Sequence, residues 1–143
     1  MFENKLGIEG FLLNLFTANK IKINSILEIG TEKNNTIRKV IDYFNNGLFL
    51  VDDIEKFEGL KDFYKDKKNV NFKPFNTKTK KSFDLIHINY NKASDFNYKD
   101  YKFKYLVLSN IPEDFKEVKL KDKEVFLLSH IKFNKKECLI VTT

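Results

Sequence analysis

Cysteine is nearly absent: Cys138 stands alone among 143 residues, which excludes an internal disulfide. On redox grounds the chain reads as cytosolic, that is, cytoplasmic. Two His and one Cys also fall short of the four N or S ligands of a structural zinc site. Two Pro and five Gly leave few flexible joints, and no repeat, Pro/Ser linker or composition break divides the chain. We therefore expect one domain over residues 1–143. No uncharged apolar stretch approaches the roughly 20 residues that span a bilayer. Residues 1–20 lack a basic start, an unbroken apolar run and a small-residue cleavage site, so no secretory signal is expected and no membrane partner. Arginine is almost missing too. Arg38 is the only one of 26 basic residues. Arg supplies bidentate contacts to bases and phosphates, so the formal charge of +6 reads first as solvated Lys surface, with nucleic acid as the less favoured partner. Its surface would be the basic segment Lys61–Lys81.

What the chain does have is apolar mass. Hydrophobic residues make up 42% and aromatics 15%, with 15 Phe, enough for a packed core. Ile8, Phe11, Leu12, Leu15 and Phe16 share helical spacing, so residues 1–20 predict an N-terminal helix packing on the core. Ser25–Gly30 reads as a buried strand. Asn35 or Thr36 can cap a helix whose face carries Ile37, Val40, Ile41 and Phe44, and Asn46-Gly47 would end it in a left-handed cap. Leu48–Val51 is a second strand. Asp52, at capping-box spacing from Glu55, opens a helix with Phe57, Leu60 and Tyr64 on its buried face. Val70–Lys73, Phe83–Ile88 and Tyr105–Ser109 follow as strands, and Pro112 suits the first turn of a short helix. Val125–Ile131 and Cys138–Thr142, joined at Asn134–Lys136, predict a hairpin.

Apolar strands alternating with helices imply an α/β fold. We expect a three-layer Rossmann-like sandwich on a mostly parallel seven-strand sheet, closed by a C-terminal antiparallel hairpin. Ligands of such sheets sit beyond the carboxyl ends of the strands, where strand order reverses. The polar residues at those ends suit an adenosine-type ligand. Gly30 permits close backbone approach. A helix starting near Asn35 would aim amide N–H groups at an anion. Asp52 can accept both ribose hydroxyl protons, with Asp53 as rival, and Asn76 and Asn89 offer amide donors and acceptors.

Ile26-Leu-Glu-Ile-Gly-Thr-Glu-Lys-Asn-Asn-Thr36 resembles the first motif of class I S-adenosylmethionine-dependent methyltransferases. Leu48-Phe-Leu-Val-Asp52 is similar to that family's second strand with its ribose-binding acid. Phe83-Asp-Leu-Ile-His-Ile-Asn-Tyr-Asn-Lys92 is similar to its fourth-strand motif, and the terminal hairpin matches its last two strands. The resemblance covers residues 5–143. It implies S-adenosylmethionine as cofactor, with Glu28, Gly30, Thr31, Asn34, Asp52, Asp53, Asn76 and Asn89 around it. It also implies methyl transfer to a small-molecule or other acceptor that the sequence does not name, by catalytic residues it does not name either. Asn34 stands at the family's second Gly position. Asn89 and Asn91 replace two acids that hold a divalent cation in metal-dependent members, and neutral amides hold hard cations poorly. A metal-independent methyltransferase is therefore the leading expectation. A methyltransferase-like binding or assembly module without catalysis is the alternative.

The connections Pro74–Ser82 and Lys92–Lys104 are short for covering helices, a trimming that leaves apolar surface for self-association as a homo-oligomer. Each residue also has a plain structural reading. Asp52 could serve as a helix cap, the Asn residues as turns, and Tyr90, Tyr98 and Tyr101 as core. His87, between Ile86 and Ile88, reads as a hydrogen-bonded core histidine. Two other folds fit less well. A receiver domain would place Asn89 where an acyl phosphate must form, and a dinucleotide-binding fold lacks its second and third glycines.

Overall fold

A computed structural model describes residues 17, 18, 20–32, 36, 45–111, 124–133 and 136–142. Five strands run parallel in the order β3-β2-β1-β4-β5: β1 (Ser25–Ile29), β2 (Asn46–Val51), β3 (Val70–Pro74), β4 (Ser82–Asn89) and β5 (Lys102–Ile111). The backbone continues into β6 (Glu124–Phe133) and β7 (Lys136–Thr142). β7 lies antiparallel between β5 and β6. The N-terminal helix over 1–20, the helix expected over residues 35–44, Asn34, the Pro112 helix and the Asn134–Lys136 turn fall wholly or largely outside the described residues.

Strand periodicity sorts the core onto two faces. Ile26, Phe49, Val51, Phe72, Leu85 and Val107 pack on one. Leu27, Ile29, Leu50, Ile86, Ile88 and Leu106 pack on the other. Both faces are buried, which is why these strands read as mostly apolar runs. Beyond β2, a 3₁₀ turn (Ile54–Phe57) runs into α1 (Glu58–Phe63). Phe57 and Tyr64 close over Phe72, with ring centroids 6.3 and 5.9 Å away, and Phe49 stacks on Phe72 at 5.2 Å. No covering helix fits between β3 and β4, where a turn and extended chain suffice. Between β4 and β5 stand only α2 (Tyr90–Ala93) and a 3₁₀ turn (Tyr98–Asp100). Among the described residues no helix is long and apolar enough to cross a membrane.

Two local expectations are corrected. Asn46-Gly47 is no helix cap: both residues belong to β2, with Gly47 opposite Ile26 and Val70. The Gly47 N–H donates to the Asn69 carbonyl at 2.8 Å, so ladder pairing decides its conformation. Asp52 does not cap the next turn either. Asp53 does, its carboxylate accepting the Glu55 N–H at 3.1 Å.

Candidate functional site

The strand order turns around between β1 and β4, and the crevice of an open parallel sheet lies beyond that pair. Gly30 follows β1 with φ +83°, a conformation that only glycine adopts freely. The Gly30 and Thr31 N–H groups both donate to the Leu50 carbonyl, at 3.0 and 3.4 Å, which binds the turn to β2. Asn89, at the end of β4, is buried. Its Nδ2 donates to the Gly30 carbonyl at 3.1 Å, and its Oδ1 accepts from the Asn91 N–H at 3.1 Å and Asn110 Nδ2 at 2.9 Å. Asn110 holds a positive φ of 56° to make that contact. One amide thus ties together the ends of β1, β4 and β5.

A Cβ at Gly30 would lie 2.9 Å from Lys92 Cβ and 3.1 Å from the Asn89 carbonyl. Gly30→Ala therefore strains the backbone and forces the turn away from α2. We expect a loss of about 1–3 kcal/mol, read from denaturant unfolding. An unchanged midpoint would show that the turn relaxes freely.

Asp52 is freed by Asp53's capping role and stands partly exposed at the end of β2. Lys92 Nζ donates to its Oδ2 at 3.2 Å. Partial burial pushes the Asp52 carboxyl up, but the Lys92 hydrogen bond and charge, the Asp53 amide and Lys56 outweigh it and hold the group below its ordinary value. Lys92 touches the Gly30 turn with its stem and Asp52 with its ammonium. The glycine turn and the strand-end acid therefore share one rim.

Beneath the rim lies a polar row that the sequence reading did not assemble. Glu28 and His87 are opposite each other in the β1–β4 register, and Ser109 is opposite Asn89 on β5. Alternation turns all three toward the face that holds Ile26 and Leu85, and all are buried. His87 Nδ1 meets Glu28 Oε1 at 2.7 Å, and His87 Nε2 meets Ser109 Oγ at 2.7 Å. Glu28 Oε2 accepts the hydroxyls of Thr31 at 2.8 Å and Thr36 at 2.6 Å. A carboxylate satisfies all three contacts as acceptor, which puts the proton of that histidine edge on Nδ1. The two threonines flank residues 32–35 in sequence, so the row holds the chain on both sides of that segment. Two polar residues at alternate positions of apolar strands were the available signal, but only pairing β1 with β4 brings them together.

Of the remaining candidates, Thr31 is buried on Glu28, and Asn76 is exposed in the turn after β3. Tyr98 and Tyr101 are core residues, and the Tyr101 hydroxyl meets Thr79 Oγ1 at 2.7 Å. Burial pushes the Tyr90 and Tyr98 hydroxyls up. Among the described residues no group of three His, Cys, Asp or Glu is placed to hold a metal ion.

Solved structures superpose over nearly the whole chain. A bacterial methyltransferase domain, CtHen1, matches with a TM-score of 0.65 over 94% of this chain and 95% of its own, at 9% identity. The chain has the class I methyltransferase fold. The N-methyltransferase NodS from Bradyrhizobium japonicum matches at 0.60 over 93% and 91%, with 15% identity. An S-adenosylmethionine-dependent methyltransferase from Clostridium acetobutylicum matches at 0.56 over 94% and 89%, with 12% identity. No protein-family model and no curated protein sequence matches. Within the methyltransferase fold, Asp52 stands at the end of the second strand and Gly30 at the end of the first, while the end of the fourth carries an amide engaged on both its atoms.

Proposed function

We propose that this protein binds S-adenosylmethionine at the β1–β2–β4 rim and transfers its methyl group without a metal ion. The observation that carries the reading is the shared rim of the Gly30 turn and the Asp52 carboxylate, bridged by Lys92. The donor set fits a nucleoside. Asp52 is ionised at neutral pH and solvent-facing, so it can accept two ribose hydroxyl protons. Gly30 lets a ligand approach backbone with no side chain of its own in the way. A ligand that takes the Asp52 carboxylate must displace the Lys92 ammonium from it. Glu28 acts one layer down, holding the turn through Thr31 and Thr36.

The bound cofactor supplies an electrophilic methyl on a good leaving group, so the chain's part is to hold the acceptor in line and exclude water. Asn89 is no base and no cation ligand. Its amide atoms are committed to Gly30, Asn91 and Asn110, which supports a metal-independent reaction. Titration calorimetry with S-adenosylhomocysteine tests the reading. Heat of binding is expected; folded protein that gives none at millimolar ligand would sink it.

The same two features, Asp52 already paired and Asn89 locked into the scaffold, favour a second reading: a binding or assembly module that keeps the fold without turnover. Cofactor binding with no methyl loss across amine, hydroxyl and nucleic-acid acceptors would select it.

A further inference from the structure

A second basic feature lies away from the rim. Between the end of α1 and the outer edge of β3 is a cavity of about 250 Å³, lined in part by Lys61, Lys65, Lys67, Lys68, Lys73 and Asn71. Its lining holds five lysines and no acid. Tyr64, Val70 and Phe72 form its apolar floor. Lys61 is shared with Glu58 at 3.5 Å, and Lys67 lies 6.0 Å over the Tyr64 ring. Lys65, Lys68 and Lys73 have no carboxylate at ion-pair distance among the described residues. Lys80 and Lys81, in the same basic segment, are elsewhere, over Phe83 and Tyr101. The tertiary structure thus selects one cluster from a chain of scattered lysines.

Lysines on an edge strand also discourage edge-to-edge pairing, and that alone would explain Lys73. It does not explain Phe63. This ring is 76% exposed and meets the Tyr64 ring in a T-shaped contact at a centroid distance of 4.9 Å. It adjoins the groove through Tyr64, which lines it, and most of its surface is open to solvent. A cationic groove flanked by an open aromatic face is the arrangement that holds a single strand, by phosphates along the lysines and a base on the ring. The cavity is below the roughly 300–1,000 Å³ of pockets that enclose whole small molecules, so it suits a stretch of backbone.

We propose that the α1–β3 groove binds single-stranded nucleic acid, with Lys65, Lys68 and Lys73 on phosphates and Phe63 under a base. This holds whether or not the rim transfers a methyl group. Fluorescence anisotropy of the full chain with labelled oligo-uridine and oligo-thymidine tests it. Binding is expected to weaken with salt at a log–log slope of about −2, for three contacts at roughly 0.7 each. Lys68→Glu with Lys73→Glu should abolish it. Phe63→Ala, at an exposed position, should keep the fold and the salt slope but lose at least about fivefold in affinity. Circular dichroism melts confirm that each variant is folded. No binding at about 50 mM salt overturns the proposal. So does binding that survives the double charge reversal, or that is indifferent to Phe63→Ala and displaced equally well by inorganic polyphosphate of matched charge.

Discussion

Glu28→Gln is expected to cost about 2–3 kcal/mol of folding stability, the upper part of the range for leaving a buried donor without its acceptor. The replacement keeps the shape of the side chain and takes away an acceptor. His87 Nδ1, Thr31 and Thr36 all direct donors at this carboxylate, and water does not reach the site to substitute. A chain of this length should melt about 6–10 °C lower. His87→Leu removes the facing partner and should be similarly severe. The double variant should fall well short of the sum, because Glu28 and His87 act as one unit. Thermal and urea unfolding of the three variants measure this. Additive effects below about 1 kcal/mol each would mean that the row is loosely held and open to solvent, contrary to the burial observed.

Asp52→Ala should leave stability almost untouched and cut S-adenosylhomocysteine affinity by about 10- to 150-fold. A partly exposed ion pair contributes about 0–1 kcal/mol to folding, whereas hydrogen bonds to a charged acceptor are worth about 1.5–3 kcal/mol. Lys92→Met should act in the opposite direction. It releases Asp52 from a pair that the ligand must otherwise open, so affinity should rise by up to about fivefold. Calorimetry on both variants separates the terms. A large loss in Lys92→Met would instead assign the ammonium to the ligand itself. The pH dependence follows from the direction of the Asp52 shift. Its folded value lies below the ordinary one, so its small contribution to stability is present above about pH 4 and is lost as pH falls through the folded value. Ligand binding through this carboxylate should accordingly stay flat from neutrality through mild acid.

The legible part of this protein lay in its periodicities. Ser25–Ile29, Asn46–Val51 and Ser82–Asn89 are rich in apolar residues and largely buried on both faces, and such runs survive any tertiary arrangement that buries a parallel sheet. Residues at strand ends were legible for the same reason. Gly30 and Asp52 each follow such a run, and a strand end is a local event. Local chemistry misled where a longer-range bond competed with it. Asn46-Gly47 has the composition of a helix cap, but the Asn69 carbonyl draws Gly47 into the ladder. Asp52 has capping-box spacing, but the chain leaves β2 so that the next carboxylate makes the cap.

By itself, then, the chain determined an α/β sheet with polar strand ends and a lysine-rich exterior, because hydrophobic period, strand length and charge are properties of neighbours along the backbone. Tertiary structure decided the rest. Glu28, His87 and Ser109 come from three strands separated in sequence, and β1, β4 and β5 must lie side by side in register before the three share hydrogen bonds. Lys92 lies 40 residues from Asp52, and only the turn-around of strand order between β1 and β4 puts its ammonium on that carboxylate and its stem against Gly30. Which polar residue faces a ligand and which is consumed holding the scaffold depends on what stands opposite it across the sheet.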